Sequence, residues 1–134
     1  RIDHMFRLRE LQDKTGGFNA FIPLVYQKEN NYLKVEEYLT AHEILKTYAI
    51  SRIVLDNIPH IKAYWATSTI GLALIAQEYG CDDLDGTIER EAIQSAAGAA
   101  SANGLKLEEF VGLIKNAGFE PVERDSLYNE LKVW

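Results

Sequence analysis

The stretch Phe18-Asn-Ala-Phe-Ile-Pro-Leu-Val-Tyr26 is apolar at almost every position. Strands that are buried on both faces have this pattern, and parallel sheets covered by helices are built from such strands. Pro23 cannot donate a hydrogen bond to a neighbouring strand, so we expect it near the end of the strand or at a bulge. The stretch therefore predicts a parallel strand over residues 18–26.

Helical patterns lie on both sides of this strand. They predict helices over residues 3–15, 41–57, 69–80, 88–97 and 107–117. Asp3 and Ser68 are candidate N-caps, and Thr40 with Glu43 has the spacing of a capping box. Gly118 is expected to close the last of these helices, which has the clearest amphipathic pattern in the chain.

Two further strand candidates alternate with the helices, namely His60-Ile-Lys-Ala-Tyr-Trp65 and Cys81-Asp-Asp-Leu-Asp-Gly86. A short extended segment over 120–124 and a last helical turn over 126–131 complete the prediction. Strands that alternate with helices imply βαβ units and a parallel sheet. The sequence therefore predicts an α/β fold, the C-terminal portion of a TIM-type (β/α)₈ barrel. It should have about three parallel strands, flanking helices and a helical C-terminal extension.

Length, charge and cysteine content exclude several classes of function. The chain has 134 residues, enough for one compact domain, and a formal net charge of −6 with scattered basic residues, which disfavours nucleic-acid binding. The single cysteine, Cys81, is expected to be an inert buried thiol, and it allows neither an internal disulfide nor a multi-cysteine metal site. The sequence contains neither an apolar stretch of about 20 residues nor a signal peptide. We therefore expect a cytoplasmic protein that does not bind a membrane.

Function in a parallel α/β protein belongs at the C-terminal ends of the strands. Tyr64 and Trp65 offer flat surfaces for a planar ligand there, although barrel packing is an equally open interpretation. Asp83 and Asp85 are suited to holding hydroxyl groups or to acid–base chemistry, or alternatively to capping the next helix. His60 begins a strand, so we expect it at the end remote from the site. The residues alone predict a small-molecule site and name no reaction.

Several stretches resemble one family. The run from Arg1 to Phe18, followed by Phe21-Ile-Pro-Leu24, is similar to the radical-SAM enzymes of the futalosine route and to the related deazaflavin synthases. Asp56-Asn-Ile-Pro-His-Ile-Lys-Ala-Tyr-Trp65 resembles the aminofutalosine synthases of menaquinone biosynthesis rather than the sister cyclases. The resemblance continues through Asp82-Asp-Leu-Asp-Gly-Thr87, Ala96-Ala-Gly-Ala99 and Glu120-Pro-Val-Glu-Arg-Asp-Ser-Leu-Tyr128.

The resemblance implies a barrel enzyme, a transferase, that uses a 4Fe–4S iron–sulfur cluster to cleave S-adenosylmethionine. The 5′-deoxyadenosyl radical then adds to the enol-ether double bond of 3-(1-carboxyvinyloxy)benzoate, and rearrangement with loss of CO₂ gives aminofutalosine. By position, the residues implied beside the adenosine part are Phe21, Ile22, Pro23 and Leu24. Those implied around the benzoate substrate are Tyr64, Trp65, Asp83 and Asp85. Because the substrate is a dianion, Lys62 and Lys28 are the candidate cations.

One feature departs from the family pattern. The family binds its cluster through three cysteines of a C-x₃-C-x₂-C loop, and this chain has one cysteine, elsewhere. We therefore expect residues 1–134 to be a single C-terminal fragment, inactive alone, with the cluster ligands upstream of Arg1 and sheet edges open to self-association. Catalytic residues stay unassigned. The alternatives are a dehypoxanthine futalosine cyclase, a deazaflavin synthase, or a non-catalytic small-molecule-binding or interaction domain.

Overall fold

The computed structural model describes residues 1–30, 32–33, 35, 37–88, 92–96 and 104–134, without the side chains of residues 94 and 95. In chain order the elements are α1 Ile2–Thr15, β1 Ala20–Phe21, α2 Ala41–Val54, β2 His60–Ile61, α3 Trp65–Ser68, α4 Ile70–Gln77, α5 Ile93–Ala96, α6 Leu107–Asn116, β3 Val122–Arg124 and β4 Glu130–Val133. Within these ranges, no helix is long and apolar enough to cross a membrane. The predicted α/β class is confirmed.

A small parallel layer organises the fold. Strand β1 pairs in parallel with β2, and a parallel bridge between Lys62 and Asp83 adds a third segment beside β2. Ile61 and Ala63 are fully buried, in a core that also contains Tyr48 of α2. Because side chains alternate along a strand, Lys62 lies on the opposite face. The structure thus distinguishes a helix-covered face of the parallel layer from a second face that carries charged groups.

Local chemistry at the helix ends explains where α1 and α2 lie. Gly16 adopts a left-handed φ of 58° and donates its N–H to the carbonyl of Gln12, so α1 ends there. Thr40 Oγ1 accepts the N–H of Glu43 at 3.2 Å, and the Glu43 carboxylate accepts the N–H of Thr40 at 2.8 Å. That backbone hydrogen bond is the main reason why the pKa of Glu43 is lowered. The predicted capping box is confirmed.

The predicted strands are much shorter than expected. The strand over 18–26 is reduced to Ala20–Phe21, because Pro23 has no N–H with which to continue pairing. The strand over 60–65 ends at Ile61 apart from the bridge at Lys62, and Trp65 already begins α3. The segment 81–86 contributes only the bridge at Asp83, because this side chain binds the backbone N–H of residue 85 and bends the chain.

Several helix boundaries also differ from the prediction. Arg1, not Asp3, is the N-cap of α1, and Asp3 pairs with Arg7 at 3.0 Å instead. Thr69 rather than Ser68 caps α4, since the Ser68 hydroxyl is turned back to the carbonyl of residue 64. Helix α2 ends at residue 54, earlier than expected. Of the helix predicted over 88–97, residues 93–96 are helical, whereas residues 89–91 and 97–103 lie outside the described part of the chain.

Beyond α6, the extended segment predicted over 120–124 is present as β3, Val122–Arg124, but the helical part of the predicted C-terminal extension is wrong. Residues 126–131 form no helical turn; they lead into β4, which pairs antiparallel with β3. The cause is Asp125, whose Oδ1 accepts the backbone N–H groups of Leu127 and Asn129 at 2.8 and 2.9 Å. Such side-chain bonds favour a turn over a helix. We call β3, β4 and the connecting turn, residues 122–133, the C-terminal hairpin.

A glycine contact at the end of α4 gives a first testable prediction. Gly80 has φ of 91°, and a Cβ there would lie 2.7 Å from Arg52 Cβ and 2.8 Å from its Cγ. Arg52 cannot move away freely, because its guanidinium donates to Gly80 O at 2.8 Å and to Asp82 Oδ1 at 2.9 Å. We expect Gly80→Ala to lower the free energy of unfolding by about 2 kcal/mol. Calorimetry on the full-length protein measures this.

The matched control is Gly71→Ala. Gly71 lies within α4, where an added Cβ meets no atom of the described residues within 4 Å, apart from its chain neighbours and the backbone of its own helix. Alanine is the better helix former, so this variant should be equal to the parent or more stable by about 0.5 kcal/mol. Equal stability of the two alanine variants would contradict the proposed clash at Gly80.

Candidate functional site

A lysine and two aspartates meet at the end of the parallel layer. Lys62 Nζ lies 2.5 Å from Asp85 Oδ1 and 3.8 Å from Asp83 Oδ2. The side chains of Lys62 and Asp83 are 12% and 8% exposed, whereas Asp85 is 32% exposed. Leu84 between the aspartates is buried in the core. The structure thus brings together three residues predicted from the sequence, with Asp85 the one most open to solvent.

The C-terminal hairpin adds two side chains to this group. Arg124 donates to Asp83 Oδ2 from Nη2 at 2.5 Å and from Nε at 3.1 Å. The Tyr128 hydroxyl donates to the same oxygen at 2.7 Å, and Asp83 Oδ1 accepts the N–H of Asp85 at 2.8 Å. Both oxygens of this buried carboxylate therefore have partners. We call Lys62, Asp83, Asp85, Arg124 and Tyr128 the Asp83 cluster.

His60 connects the Asp83 cluster to the start of β2. Its ring stacks on Tyr128, with centroids 3.8 Å apart and planes 6° from parallel. Its Nδ1 lies 2.6 Å from Asp82 Oδ2, while Asp82 Oδ1 accepts the N–H of Ile61 at 2.8 Å. His60 begins β2, as the sequence predicted, but it is not remote from the candidate site, because its ring contacts Tyr128 of the Asp83 cluster.

Burial and hydrogen bonding together set the protonation states of Asp83 and Tyr128. Burial by itself would raise the pKa of Asp83, but the N–H of residue 85, the Tyr128 hydroxyl and the two neighbouring cations outweigh burial, so the pKa is lowered. Burial, followed by the hydrogen bond to Asp83, raises the pKa of Tyr128. At neutral pH the carboxylate is therefore charged and the phenol is a neutral donor.

Two residues of the Asp83 cluster have unusual backbone conformations. Asp85 has φ of 68° and Tyr128 has φ of 66°, both in the left-handed region. For residues other than glycine this conformation costs on the order of 1–3 kcal/mol, and such strain concentrates at functional sites. In these conformations the Asp85 carboxylate contacts Lys62 and the Tyr128 hydroxyl contacts Asp83.

The two aromatic residues predicted at the site differ in their surroundings. Trp65 is 3% exposed, its Nε1 donates to Gly86 O at 2.8 Å, and its ring packs on Phe110 with centroids 6.5 Å apart. This is the packing role that the sequence left open. Tyr64 is half-buried at the start of α3, where its carbonyl accepts the Ser68 hydroxyl at 3.1 Å. For both residues, contact with a substrate stays a prediction.

The predicted adenosine segment lines a separate cleft. Phe21, Ile22, Pro23 and Leu24 border a cleft of about 440 Å³ whose other walls come mostly from α1 and α2. These walls include the largely apolar side chains of Met5, Ile44 and Tyr48. An apolar cleft suits a flat base, but the binding role of residues 21–24 stays a prediction. The other candidate cation, Lys28, has its Nζ 3.5 Å from the centre of the Tyr38 ring.

A second cleft adjoins the Asp83 cluster. It has a volume of about 560 Å³ and lies between the segment 81–87, α6 and the C-terminal hairpin. Asp83, Asp85 and Arg124 line its polar side, while Phe110 and Ile114 are among its apolar residues. Concave sites with a few convergent polar groups are the usual form of small-molecule sites.

The donor set of the described residues does not fit a 4Fe–4S cluster. Cys81 is the only cysteine, its side chain is buried, and burial raises the pKa of its thiol to about 12. Among the residues that the structure describes, no group of three or more His, Cys, Asp or Glu side chains could hold a metal ion. Cys81 is the buried thiol that the sequence predicted.

Arg124 and Tyr128 are the residues that the sequence analysis missed. They lie 41 and 45 positions from Asp83, beyond any local spacing rule. The available signal was the resemblance over 120–128, which includes both residues. The resemblance indicated that residues 120–128 matter, but it did not indicate that they contact Asp83.

Comparison with known proteins establishes the family. The profile of the CofH/MqnC C-terminal region matches residues 15–133. The chain belongs to this family. It spans little more than a third of the length of the curated relatives it matches. The resemblance found in the sequence is therefore confirmed, for a region that is one part of longer proteins.

Several relatives show the range of the family, whose members are radical-SAM enzymes. The chain is 48% identical to the aminodeoxyfutalosine synthase of Thermus thermophilus over the whole chain and 37% of the relative. It is 41% identical to the cyclic dehypoxanthine futalosine synthase of Streptomyces coelicolor, over 99% of the chain and 33% of the relative. A 5-amino-6-(D-ribitylamino)uracil–L-tyrosine 4-hydroxyphenyl transferase of Methanococcoides burtonii is 37% identical over 98% of the chain and 39% of the relative.

Proposed function

We propose that the chain forms the C-terminal part of an aminofutalosine synthase whose radical-SAM barrel, with its cluster ligands, begins upstream of Arg1. The observation that carries the proposal is the Asp83 cluster, which groups Lys62 and two aspartates at the C-terminal ends of parallel segments. Active sites of (β/α)₈ barrels lie at this end of the strands. The 48% identity to an aminodeoxyfutalosine synthase supports the choice of reaction.

In the proposed barrel, the helix-covered face of β1, β2 and the segment at Asp83 is the outer face. The opposite face, with Lys62, then looks into the barrel. In the described part of the chain, two parallel strands and one bridge are too few to close a barrel, so the proposal takes the remaining strands from the upstream part. The whole of residues 1–134 then acts as one C-terminal region of a longer enzyme.

Lys62 is the residue we assign to the substrate carboxylate. An ammonium group has three donors, and Asp85 Oδ1 takes one of them at 2.5 Å. Another donor can bind a carboxylate oxygen of 3-(1-carboxyvinyloxy)benzoate, while Asp85 orients the lysine and stabilises its charge. We assign Tyr64 to the benzoate ring and residues 21–24 to the adenosine part of S-adenosylmethionine, which supplies the 5′-deoxyadenosyl radical when bound. Trp65 positions the strand end by packing behind it.

Product analysis tests the assignment of the reaction. The full-length enzyme is incubated with S-adenosylmethionine, a reductant and 3-(1-carboxyvinyloxy)benzoate, and the products are separated by mass-detected chromatography. We expect aminofutalosine. Parallel incubations with dehypoxanthine futalosine, and with tyrosine plus 5-amino-6-(D-ribitylamino)uracil, test the activities that the other relatives' names state. Turnover of either substrate without turnover of the benzoate would replace the proposal by that activity.

We expect the 134-residue chain alone to self-associate and to leave S-adenosylmethionine intact. Ile2 and Phe6 of α1 are each about half exposed, as is Leu24 beyond β1, and among the described residues β1 pairs on one side only. Exposed apolar groups and open strand edges favour association. Light scattering should show oligomers at micromolar concentration. A single monomeric species in light scattering would favour the alternative of a free-standing binding domain. Formation of 5′-deoxyadenosine by this chain would contradict the prediction that it is inactive alone.

A further inference from the structure

We infer that Arg124 and Tyr128 of the C-terminal hairpin are positioning residues that keep Lys62 directed toward Asp85. This inference rests on the proposed role of Lys62 in binding the substrate carboxylate. Lys62 has two possible aspartate partners, Asp83 and Asp85. Asp85 is the more exposed partner and Asp83 is the buried one, so the choice decides where the positive charge is presented.

The distances show how the competition is resolved. Lys62 Nζ is in hydrogen-bond contact with Asp85 Oδ1 at 2.5 Å but stands 3.8 Å from Asp83 Oδ2, beyond hydrogen-bond range. Asp83 Oδ2 already accepts three donors, two from Arg124 and one from the Tyr128 hydroxyl. The hairpin thus neutralises and saturates the oxygen that Lys62 would otherwise bind.

Removal of Arg124 should reverse this preference. A buried carboxylate without its partner carries a large desolvation penalty, and Lys62 is the neighbouring cation closest to it. A shift of little more than 1 Å would bring Nζ into contact with Asp83. The Lys62 ammonium group would then lose its contact with Asp85 and move away from the more exposed side of the site.

The Tyr128 ring helps to hold this arrangement from the hairpin side. The Arg124 guanidinium lies over the ring with its Cζ 4.1 Å from the centroid, and the ring stacks on His60. Arg124 is thereby fixed between a carboxylate and an aromatic surface, so its two hydrogen bonds to Asp83 keep their geometry. The hairpin contributes to the site through Asp83, without itself contacting the substrate.

Substrate affinity in the absence of S-adenosylmethionine tests the inference without turnover. We measure the Kd of the full-length enzyme for 3-(1-carboxyvinyloxy)benzoate by titration calorimetry. Arg124→Ala should raise the Kd about tenfold or more, the effect of losing one charge-assisted hydrogen bond. Arg124→Lys should recover part of the affinity, and Tyr128→Phe should have a smaller effect. The control Lys132→Ala removes another cation of the hairpin, one that lies over the Trp134 ring, and should leave the Kd unchanged.

The double variant Arg124→Ala/Asp83→Asn distinguishes positioning from support of the fold. The neutral amide at position 83 of that variant has no charge with which to attract Lys62. The Kd should therefore return to within about threefold of the parent value, since little of a charge-assisted interaction is then lost. A double variant as weak as Arg124→Ala alone would overturn the inference. The variant Lys62→Met tests the proposed function separately: an unchanged Kd there would refute the role of Lys62 itself.

Discussion

Replacement of Asp83 by alanine should destabilise the packing of the C-terminal hairpin by about 3 kcal/mol, because removing one partner of a buried ion pair leaves the other uncompensated. Asp83 is 8% exposed and anchors both Arg124 and Tyr128. Hydrogen-exchange mass spectrometry on the full-length protein reports the loss locally, as faster exchange of the amides in Val122–Arg124 and Glu130–Val133. Asp83→Asn should destabilise the hairpin less than Asp83→Ala, since the amide oxygen still accepts hydrogen bonds.

The same position should control part of the acid sensitivity of the hairpin. The pKa of Asp83 is lower in the folded protein than its unfolded value of about 3.9. The charged carboxylate therefore stabilises the hairpin above the unfolded pKa, and this stabilisation is lost as the pH falls through the folded pKa. The parent hairpin should therefore open progressively below about pH 4, while Asp83→Asn should show a flatter acid profile. Asp3→Asn, which affects an exposed pair on α1, is the control and should leave hairpin exchange unchanged. Parallel acid profiles of the parent and Asp83→Asn would contradict this account.

Local signals predicted two helix ends correctly. Thr40 with Glu43 marks the start of α2, and Gly16 marks the end of α1, because each satisfies backbone groups within a few residues of itself. The information for these features is contained in one short window of sequence. No partner from elsewhere in the chain is required to form them.

The strands were predicted in order but not in length. Pairing depends on the hydrogen bonds of two distant segments, and the apolar run over 18–26 says nothing about how far its partner continues. His60 lies 40 positions beyond Ala20, with which it pairs, and that partner strand ends at Ile61. The turn at Asp125 was missed for a different reason: the sequence analysis did not consider that this side chain binds backbone N–H groups of its own segment.

The members of the candidate site were predicted from the sequence by two separate arguments. Asp83 and Asp85 follow from the principle that parallel α/β proteins bind ligands at the C-terminal ends of strands. Lys62 was chosen on other grounds, because the substrate that the resemblance implies is a dianion and requires a cation. Arg124 and Tyr128 obey no such rule, since they reach Asp83 from a hairpin. The sequence analysis predicted only its first segment, over 120–124, as extended and took residues 126–131 for a helical turn. The contact between the two regions depends on tertiary packing, which a single sequence does not encode in any local pattern.

Replacement of Lys62 by methionine should raise the KM for 3-(1-carboxyvinyloxy)benzoate by about 10- to 100-fold, the range expected when a charge-assisted hydrogen bond to a ligand is removed. Methionine keeps the length of the side chain and its packing, so the loss is one of charge and not of volume. Lys62→Arg should retain part of the affinity, since its guanidinium can still pair with Asp85. The measurement is steady-state kinetics of the full-length enzyme, with aminofutalosine and 5′-deoxyadenosine quantified in the same samples.

The ratio of the two products decides what Lys62 does. If Lys62 binds the benzoate substrate and does not act on S-adenosylmethionine, Lys62→Met should still form 5′-deoxyadenosine while aminofutalosine falls, so that cleavage becomes uncoupled from transfer. Lys28→Met is the matched control, because Lys28 was the other candidate cation and lies over the Tyr38 ring. We expect the Lys28 variant to keep the parent KM and product ratio. An elevated KM in Lys28→Met with a normal one in Lys62→Met would move the carboxylate-binding role to Lys28. Loss of both products in Lys62→Met would instead place Lys62 on the cleavage step.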